Sequence, residues 1–118
     1  MSSPVVHSDR AASSVRETDD FRRCVKKHTK KNSVLFGEVC QLKQELLQNR
    51  IKGEKVPKDR WPQDYVQKWG LTNLFKCDLR QGYRATYTLQ FEGGGTAVIL
   101  LELLSHDQYE QRFGYKTR

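Results

Sequence analysis

Apolar positions in the first half of the chain recur every three or four residues, which is the spacing of amphipathic helices. The first run follows Thr18, a residue type that caps helices, and two acidic residues; its apolar side consists of Phe21, Cys24, Val25 and His28. The second run follows Asn32-Ser33 and ends near Asn49; its stripe consists of Leu35, Val39, Leu42, Leu46 and Leu47. The pattern predicts two short-linked helices forming an antiparallel hairpin.

From Leu74 onward the period changes to two, which is typical of β-strands. Around a Gln81-Gly82 turn, one face collects Phe75, Cys77, Leu79, Tyr83, Ala85, Tyr87, Leu89 and Phe91. The other face collects Lys76, Asp78, Arg80, Arg84, Thr86, Thr88 and Gln90. After three glycines, an almost wholly apolar stretch from Thr96 to Leu104 predicts a central strand. Asp107 is expected to cap a terminal helical turn that carries Tyr109 and Phe113.

The remaining segments carry weaker patterns. Residues 1–17 are rich in serine and charge and predict a flexible arm or a weak edge strand, with Pro4-Val5-Val6 as the candidate strand. Residues 51–70 are basic and contain Pro57 and Pro62, so an irregular connection is expected. Its aromatic residues either cover the end of the core or stack on nucleic-acid bases; they are Trp61, Tyr65 and Trp69.

The order of elements predicts an α+β fold in a single domain, residues 18–118. An N-terminal helical hairpin packs on the apolar face of a small twisted antiparallel sheet, and a short helical turn ends the chain. The parity of residues 74–91 places Lys76, Arg80 and Arg84 on the face away from the helices. That face is expected to remain polar and basic.

Charge narrows the choice of partner. The 118 residues carry a formal net charge of +7, which favours an anionic partner: nucleic acid first, then an acidic protein or a membrane surface. The first helix has a basic face, which is either a solvated surface or a contact for phosphates; it comprises Arg22, Arg23, Lys26, Lys27, Lys30 and Lys31.

Other chemistry is not indicated by the sequence. Three widely spaced cysteines lack the pairing of a zinc site and are expected to be reduced: Cys24, Cys40 and Cys77. The sequence contains no metal motif or phosphate loop, because its three consecutive glycines lead into no helix, so neither metal nor cofactor is expected. The longest apolar run is too short to span a bilayer and no secretory signal is visible, which predicts a cytoplasmic protein without membrane association.

Two motifs, LRQGYRATY at residues 79–87 and HDQYEQRFGY at residues 106–115, resemble the RelE/ParE toxin superfamily, and most closely a RelE-type subgroup. The similarity extends from about Thr18 to Tyr115. The resemblance implies a RelE-like arrangement of helices and sheet. In this superfamily the RelE branch cuts messenger RNA, commonly on the ribosome, whereas the ParE branch poisons DNA gyrase and lacks the ribonuclease residues.

The resemblance also implies roles for individual residues. Arg84 matches the arginine that holds the scissile phosphate, although an exposed strand arginine paired with Asp78 is the alternative. Lys76 matches a second cation. His106 lies near the position where family members carry a basic or histidine residue; the chemistry of imidazole suits a general acid or base, and a structural histidine is the alternative. Tyr109 and Tyr115 are the two candidates for the terminal tyrosine of the family, and Arg112 is a further cation of the same segment. Apart from the resemblance, Arg80 and the first-helix residues Lys26 and Lys30 are candidate substrate contacts through their charge. Asp78 replaces a family lysine, and its negative charge opposes the binding of phosphate unless it serves as a base or neutralises Arg80.

The function expected from this resemblance is that of the toxin in a type II toxin–antitoxin system. The toxin would be an RNA endonuclease that cleaves translated messenger RNA, at the ribosome, by metal-independent attack of the 2′-hydroxyl. Its expected partners are messenger RNA, the ribosome and a small acidic antitoxin, with which it forms a hetero-oligomer. The alternative is a non-catalytic binding protein, either a ParE-like gyrase inhibitor or a degenerate RNA-binding relative.

Overall fold

The computed structural model describes residues 10–114, within which the chain forms four α-helices and five β-strands. In chain order these elements are β1 (Ser14–Glu17), α1 (Asp19–Thr29), α2 (Ser33–Gln48), β2 (Glu54–Lys55), α3 (Gln63–Trp69), β3 (Phe75–Asp78), β4 (Arg84–Glu92), β5 (Gly95–Leu104) and α4 (His106–Phe113). Two short 3₁₀ turns, Lys58–Arg60 and Arg80–Gly82, precede α3 and β4.

The strands form one mixed sheet in the order β1-β5-β4-β3-β2. β1 runs parallel to β5, and every other neighbouring pair is antiparallel. The predicted α+β class is confirmed, but the sheet is mixed and has two strands besides the three expected from residues 74–104. One of them, β1, is an edge strand within residues 1–17, where a weak edge strand was one of the two alternatives. Both additional strands are short and lie at the edges. The candidate strand at Pro4-Val5-Val6 lies outside the described residues.

Helices α1 and α2 begin where the capping residues predict. The side chain of Thr18 accepts a hydrogen bond from the Phe21 amide, and that of Asn32 accepts one from the Leu35 amide. Both helices contribute to a first core on one face of the sheet, built by Phe21, Leu35, Val39, Leu42, Leu46, Cys77, Ala85, Tyr87, Leu89, Val98, Leu100 and Leu103. Leu47, which was predicted to be part of this stripe, is instead 41% exposed.

The opposite face of the sheet carries a second core under α3 and α4. Its buried residues are Val56, Tyr65, Leu71, Leu74, Leu101, Leu104, Tyr109 and Phe113. The prediction that this face stays open and polar is therefore wrong. Helix α3 was not predicted, because Pro57 and Pro62 indicated an irregular segment. The aromatic residues of this segment cover the core as the first interpretation proposed, since Tyr65 is buried and Trp61 and Trp69 pack against the same cluster.

A bulge in β5 changes which of its residues face each core. Thr86 pairs with Glu102, whereas Tyr87 pairs with Leu100, so Leu101 is an extra residue on β5. Because of this extra residue, Leu101 and Glu102 both lie on the side of α3 and α4. Without the bulge, strict alternation would place the Glu102 carboxylate in the first core.

Arg80 does not share a face with Lys76 and Arg84, so this part of the parity prediction is wrong. Its Nε lies 3.2 Å from a carboxylate oxygen of Glu38 in α2. The reason is local, because β3 ends at Asp78 and Gln81 adopts a φ of 62°, which ends the alternation of the strand.

The cysteines are free thiols, with Cys77 buried, Cys24 partly buried and Cys40 exposed. Burial raises the pKa of the Cys77 thiol to about 11. Among the helices that the structure describes, none combines the length and apolar character needed to cross a bilayer.

Gly53→Ala is expected to destabilise the protein by about 1–3 kcal/mol, the cost typical of forcing extra atoms into a packed site. A Cβ on Gly53 would lie 2.5 Å from the backbone oxygen of Lys76 and 3.0 Å from the ring of Tyr87. Gly93→Ala is the matched control, since a Cβ there meets nothing within 4 Å. Urea unfolding of both variants measures the difference, and equal stabilities would show that β2 moves away without cost.

Candidate active site

The predicted residues Lys76, Arg84 and Tyr109 line one concavity of about 540 Å³ between the edge of the sheet and α4. Its remaining lining residues are Glu54, Lys55, Val56 and Glu110. His106 contacts Arg84 beside it. The fold brings these groups together because β2, β3 and β4 are adjacent at this end of the sheet, and α4 begins directly after β5.

Arg84, the first residue of β4, is held in one position by several groups. Its Nη1 donates to the Gly82 carbonyl at 2.8 Å and lies 3.1 Å from Nδ1 of His106. Its Nε lies 3.1 Å from a carboxylate oxygen of Asp78, the residue opposite it on β3. The guanidinium carbon is 5.1 Å from the centre of the Tyr109 ring, a cation–π contact. The side chain is 21% exposed, so this cation is largely pre-positioned.

Lys76 is a second cation of the site and is paired with two carboxylates. Its Nζ lies 2.8 Å from Asp78 and 2.8 Å from Glu54, which faces it from β2. Burial alone would lower the pKa of Lys76, but the hydrogen bonds and charges of Asp78 and Glu54 outweigh burial and raise this pKa above its ordinary value. Lys76 is therefore a permanent cation at neutral pH and is unsuited to act as a base.

The charged groups of the site and His106 form a chain of neighbours, with a carboxylate at each end and another between the two cations. In order along this chain the residues are Glu54, Lys76, Asp78, Arg84, His106 and Glu110. The three carboxylates outnumber Lys76 and Arg84, so this chain is not a basic surface. An incoming phosphate must replace a carboxylate as the partner of Arg84 or Lys76.

His106 is the first residue of α4, and its position depends on a well-formed helix start. Ser105, rather than the predicted Asp107, is the N-cap, and with Gln108 it forms a complete capping box. The backbone at Gly82 passes close to His106, because a Cβ on Gly82 would lie only 3.0 Å from the Cβ of His106. Gly82 also has a φ of 79°, a conformation that glycine adopts readily. The His106 ring remains 51% exposed and is open to a ligand.

Tyr109 forms the floor of the concavity. The residue is 3% exposed, and its ring stacks on Phe113 with centroids 4.4 Å apart. Both Arg84 and Lys76 place their charges near this ring. In this arrangement the ring supports the cations and has little surface on which a base can stack.

A polar network anchors α4 from behind. The Tyr65 hydroxyl donates to a carboxylate oxygen of Glu102 at 2.6 Å and lies 2.9 Å from the Thr86 hydroxyl. Arg112 of α4 pairs with the same Glu102 carboxylate at 3.1 Å and with Asp64 of α3 at 2.9 Å. This network ties α3, α4 and β5 together and thereby fixes the helix that carries His106.

The other predicted substrate-binding residues lie elsewhere. Arg80 faces α2, and Arg112 belongs to the anchoring network behind α4. Lys26 and Lys30 line a separate groove of about 510 Å³ between α1 and α2, together with Val25, Val39 and Phe36. Tyr115 lies outside the described residues. The structure thus places Lys76, Arg84, His106 and Tyr109 around one concavity. Among the described residues, the other predicted substrate contacts lie away from it: Arg80, Arg112, Lys26 and Lys30.

Two residues of the site were not predicted. Glu110 follows His106 by four residues on α4, and its carboxylate lies 3.2 Å from Nε2 of His106. The spacing His-x-x-x-Glu in a helix was the signal that could have revealed it. Glu54 had no comparable signal, because its place depends on the two-residue strand β2 pairing with β3.

His106, Asp107 and Glu110 are also close enough to one another to be considered as metal ligands, with ligand atoms within 4.8 Å. The contacts of His106 do not suit that role. Arg84 approaches Nδ1 and can only donate, and a neutral ring that accepts this contact carries its proton on Nε2, toward Glu110. Neither ring nitrogen offers a free lone pair to a metal in this arrangement.

No model of a known protein family matches the chain, and a search of curated proteins gives no significant match.

Proposed function

We propose that this protein is the toxin of a type II toxin–antitoxin system and acts as an RNA endonuclease of the RelE type. The observation that carries the proposal is the convergence of Arg84, Lys76 and His106 beside one concavity. Two cations and an imidazole are the groups that metal-free cleavage of a phosphodiester requires. In the finer description of the fold, α1 and α2 are the N-terminal helical hairpin of a RelE-like domain.

In the proposed reaction the 2′-hydroxyl of the substrate attacks the adjacent phosphorus. The O2′–P bond forms, the P–O5′ bond breaks, and the products are a 2′,3′-cyclic phosphate and a 5′-hydroxyl. The planar fork of Arg84 binds two oxygens of the phosphate as its charge grows, and Lys76 adds a second positive charge. His106 takes the proton of the 2′-hydroxyl, and the departing O5′ takes a proton from water. Tyr109 supports the two cations from below.

The pairing of Arg84 and Lys76 with Asp78 is compatible with this role. Asp78 is 56% exposed, and ion pairs at such positions stabilise proteins little. A phosphate that offers Arg84 two oxygens therefore competes with a single contact from Asp78. The expected consequence is a weaker affinity for RNA than a site lined only by cations would have.

The charge balance of the site also favours a second candidate, a binding protein without catalysis. Each of the two cations already has a carboxylate partner, as in the alternative interpretation of Arg84. A ParE-like gyrase inhibitor or a degenerate RNA-binding relative would keep the fold while its site remains occupied by these ion pairs.

Controlled expression of the protein in bacterial cells separates the two candidates. A ribonuclease cuts translated messages within minutes, and mapping of new 5′ ends locates the cuts on transcripts. A gyrase inhibitor leaves messages intact and causes DNA damage. Arrested growth with intact transcripts and damaged DNA would overturn the ribonuclease proposal in favour of the gyrase inhibitor.

The proposed antitoxin docks in the groove between α1 and α2. The floor of this groove is apolar, with Val25 and Val39. Its other lining residues include the cations Arg22, Lys26, Lys30 and Lys43 and one acid, Glu17, which pairs with Lys43. An amphipathic segment with acidic residues beside its apolar face complements this surface. The small acidic protein is expected to be encoded next to the toxin, so the neighbouring reading frame supplies the partner to test.

Lys30→Glu is expected to weaken binding of that acidic protein by roughly tenfold at low salt, because the change replaces an exposed attraction by a repulsion. Lys58→Glu is the matched control, since Lys58 is an exposed lysine in the 3₁₀ turn before α3. Calorimetric titration at two salt concentrations measures both affinities. Equal losses in the two variants would show that general charge, rather than this groove, attracts the partner.

A further inference from the structure

The two ring nitrogens of His106 have different partners. Nδ1 lies 3.1 Å from Nη1 of Arg84, and a guanidinium has only donors, so Nδ1 is the acceptor in this contact. Nε2 lies 3.2 Å from an oxygen of Glu110, and an ionised carboxylate only accepts, so Nε2 carries the proton. A single neutral tautomer satisfies both contacts. A doubly protonated ring would instead direct an N–H group at the guanidinium.

We propose that Glu110 is a positioning residue that fixes this tautomer, and that Arg84 covers Nδ1 until a phosphate draws the guanidinium away. The inference rests on the proposed ribonuclease function and assigns its base to one atom. Nδ1 of His106 is the atom that accepts the proton, and it becomes available only after Arg84 has moved to the substrate.

The surroundings of the two residues fit these roles. His106 and Glu110 are one turn apart on α4, so the helix itself sets their separation. That helix is capped at Ser105 and anchored through Arg112 to Glu102, which limits its movement. Arg84 has a competing partner in Asp78, and a phosphate can displace both of its contacts at once.

The inference imposes an order on the reaction. A phosphate first binds the fork of Arg84, which leaves Nδ1 with a free lone pair. Nδ1 then takes the proton of the 2′-hydroxyl while the O2′–P bond forms and the P–O5′ bond breaks. The resulting imidazolium keeps its Nε2–H bond to Glu110, and the negative carboxylate stabilises the new positive charge. This arrangement resembles a histidine held by a carboxylate in other hydrolytic sites.

Nitrogen-15 NMR of the imidazole rings tests the inference directly on the intact protein. In the unaltered protein we expect His106 as the Nε2–H tautomer, and inorganic phosphate should shift the Nδ1 resonance as Arg84 leaves it. With phosphate bound, so that Arg84 no longer contacts Nδ1, Glu110→Ala should produce a mixture of tautomers, whereas Glu110→Gln keeps an acceptor for Nε2–H and should preserve the original one. Asp107→Asn is the control, since it removes an equal charge from the adjacent residue.

Cleavage of a short RNA under single-turnover conditions gives the second readout. Glu110→Ala should slow cleavage on the order of a hundredfold, which is the lower end of the rate contribution of general acid–base catalysis. Glu110→Gln should slow it only about tenfold, since it retains an acceptor for Nε2–H. Asp107→Asn should cut at nearly the original rate.

The outcomes of the two measurements are distinguishable. An Nδ1–H tautomer in the unaltered protein, or an unchanged tautomer and rate in Glu110→Ala, would overturn the inference. Absence of cleavage by the unaltered protein, on free RNA and on programmed ribosomes, would overturn the proposed function. In that case the tautomer measurements alone would decide whether Glu110 and Arg84 hold His106 as inferred.

Discussion

Arg84→Ala is expected to lower the rate of RNA cleavage about a hundredfold or more, the loss typical of removing one donor to a developing charge. The reason is geometric, because the guanidinium stands beside His106 and above the ring of Tyr109, where the scissile phosphate would bind. The measurement is the single-turnover rate on RNA or on programmed ribosomes. Arg84→Lys should recover little of the loss, because an ammonium lacks the planar fork.

Two controls make the Arg84 result interpretable. Arg84 is only 21% exposed and contacts several groups, so thermal unfolding of Arg84→Ala should show a loss of about 1–2 kcal/mol, the scale of a removed hydrogen-bond partner. Lys30→Ala, in the separate groove of α1 and α2, should weaken RNA binding in a salt-dependent manner and leave the saturated rate nearly unchanged. Equal, small effects of the two substitutions would make Arg84 an ordinary surface charge.

Tyr65→Ala is expected to destabilise the protein by about 3–5 kcal/mol, as truncation of a buried aromatic residue does. Tyr65 is fully buried, and its ring meets Trp69 and Phe113 edge to face with centroids 4.8 and 5.5 Å away. The substitution removes the ring contact between Tyr65 of α3 and Phe113 of α4 as well as the hydroxyl bonded to Glu102. Urea or thermal unfolding measures the free energy of unfolding.

Tyr65→Phe separates the packing contribution from the hydroxyl contribution. It preserves the ring and leaves Glu102 without one donor, so the expected loss is about 1–3 kcal/mol. If Tyr65→Phe were as damaging as Tyr65→Ala, the hydrogen-bond network rather than the aromatic packing would hold the second core together.

Local signals in the sequence predicted the elements that depend on neighbouring residues. Thr18 and Asn32 cap α1 and α2 as expected, because a capping side chain acts within three residues of itself. The alternation along β4 placed Arg84 and Thr86 on the face opposite Ala85 and Tyr87, since the pleat of a strand has a period of two.

Features that depend on distant residues were not predictable from the sequence. Helix α3 lies between Pro62 and Gly70, which are local signals for the start and end of a helix, but its packing against the second core depends on distant residues. The bulge at Leu101 arises from pairing between strands and decides where Glu102 points. Strand alternation predicted that Lys76 and Arg84 share a face of the sheet, whereas the place of Glu54 beside them required the tertiary pairing of β2.

The interior position of β5 in the sheet has a consequence for folding during synthesis. This strand lies between β1 and β4, yet it comprises residues Gly95–Leu104 and is therefore synthesised after both of the strands that it pairs with. Until it emerges, β1 has no neighbour to pair with and the apolar sides of α1 and α2 lack much of their cover. A nascent chain that stops before Gly95 also lacks His106, Tyr109 and Glu110. The pairing of β5 with its neighbours and the assembly of the concavity both depend on the segment from Gly95 onward. Translation products that stop before this segment can complete neither the sheet nor the concavity.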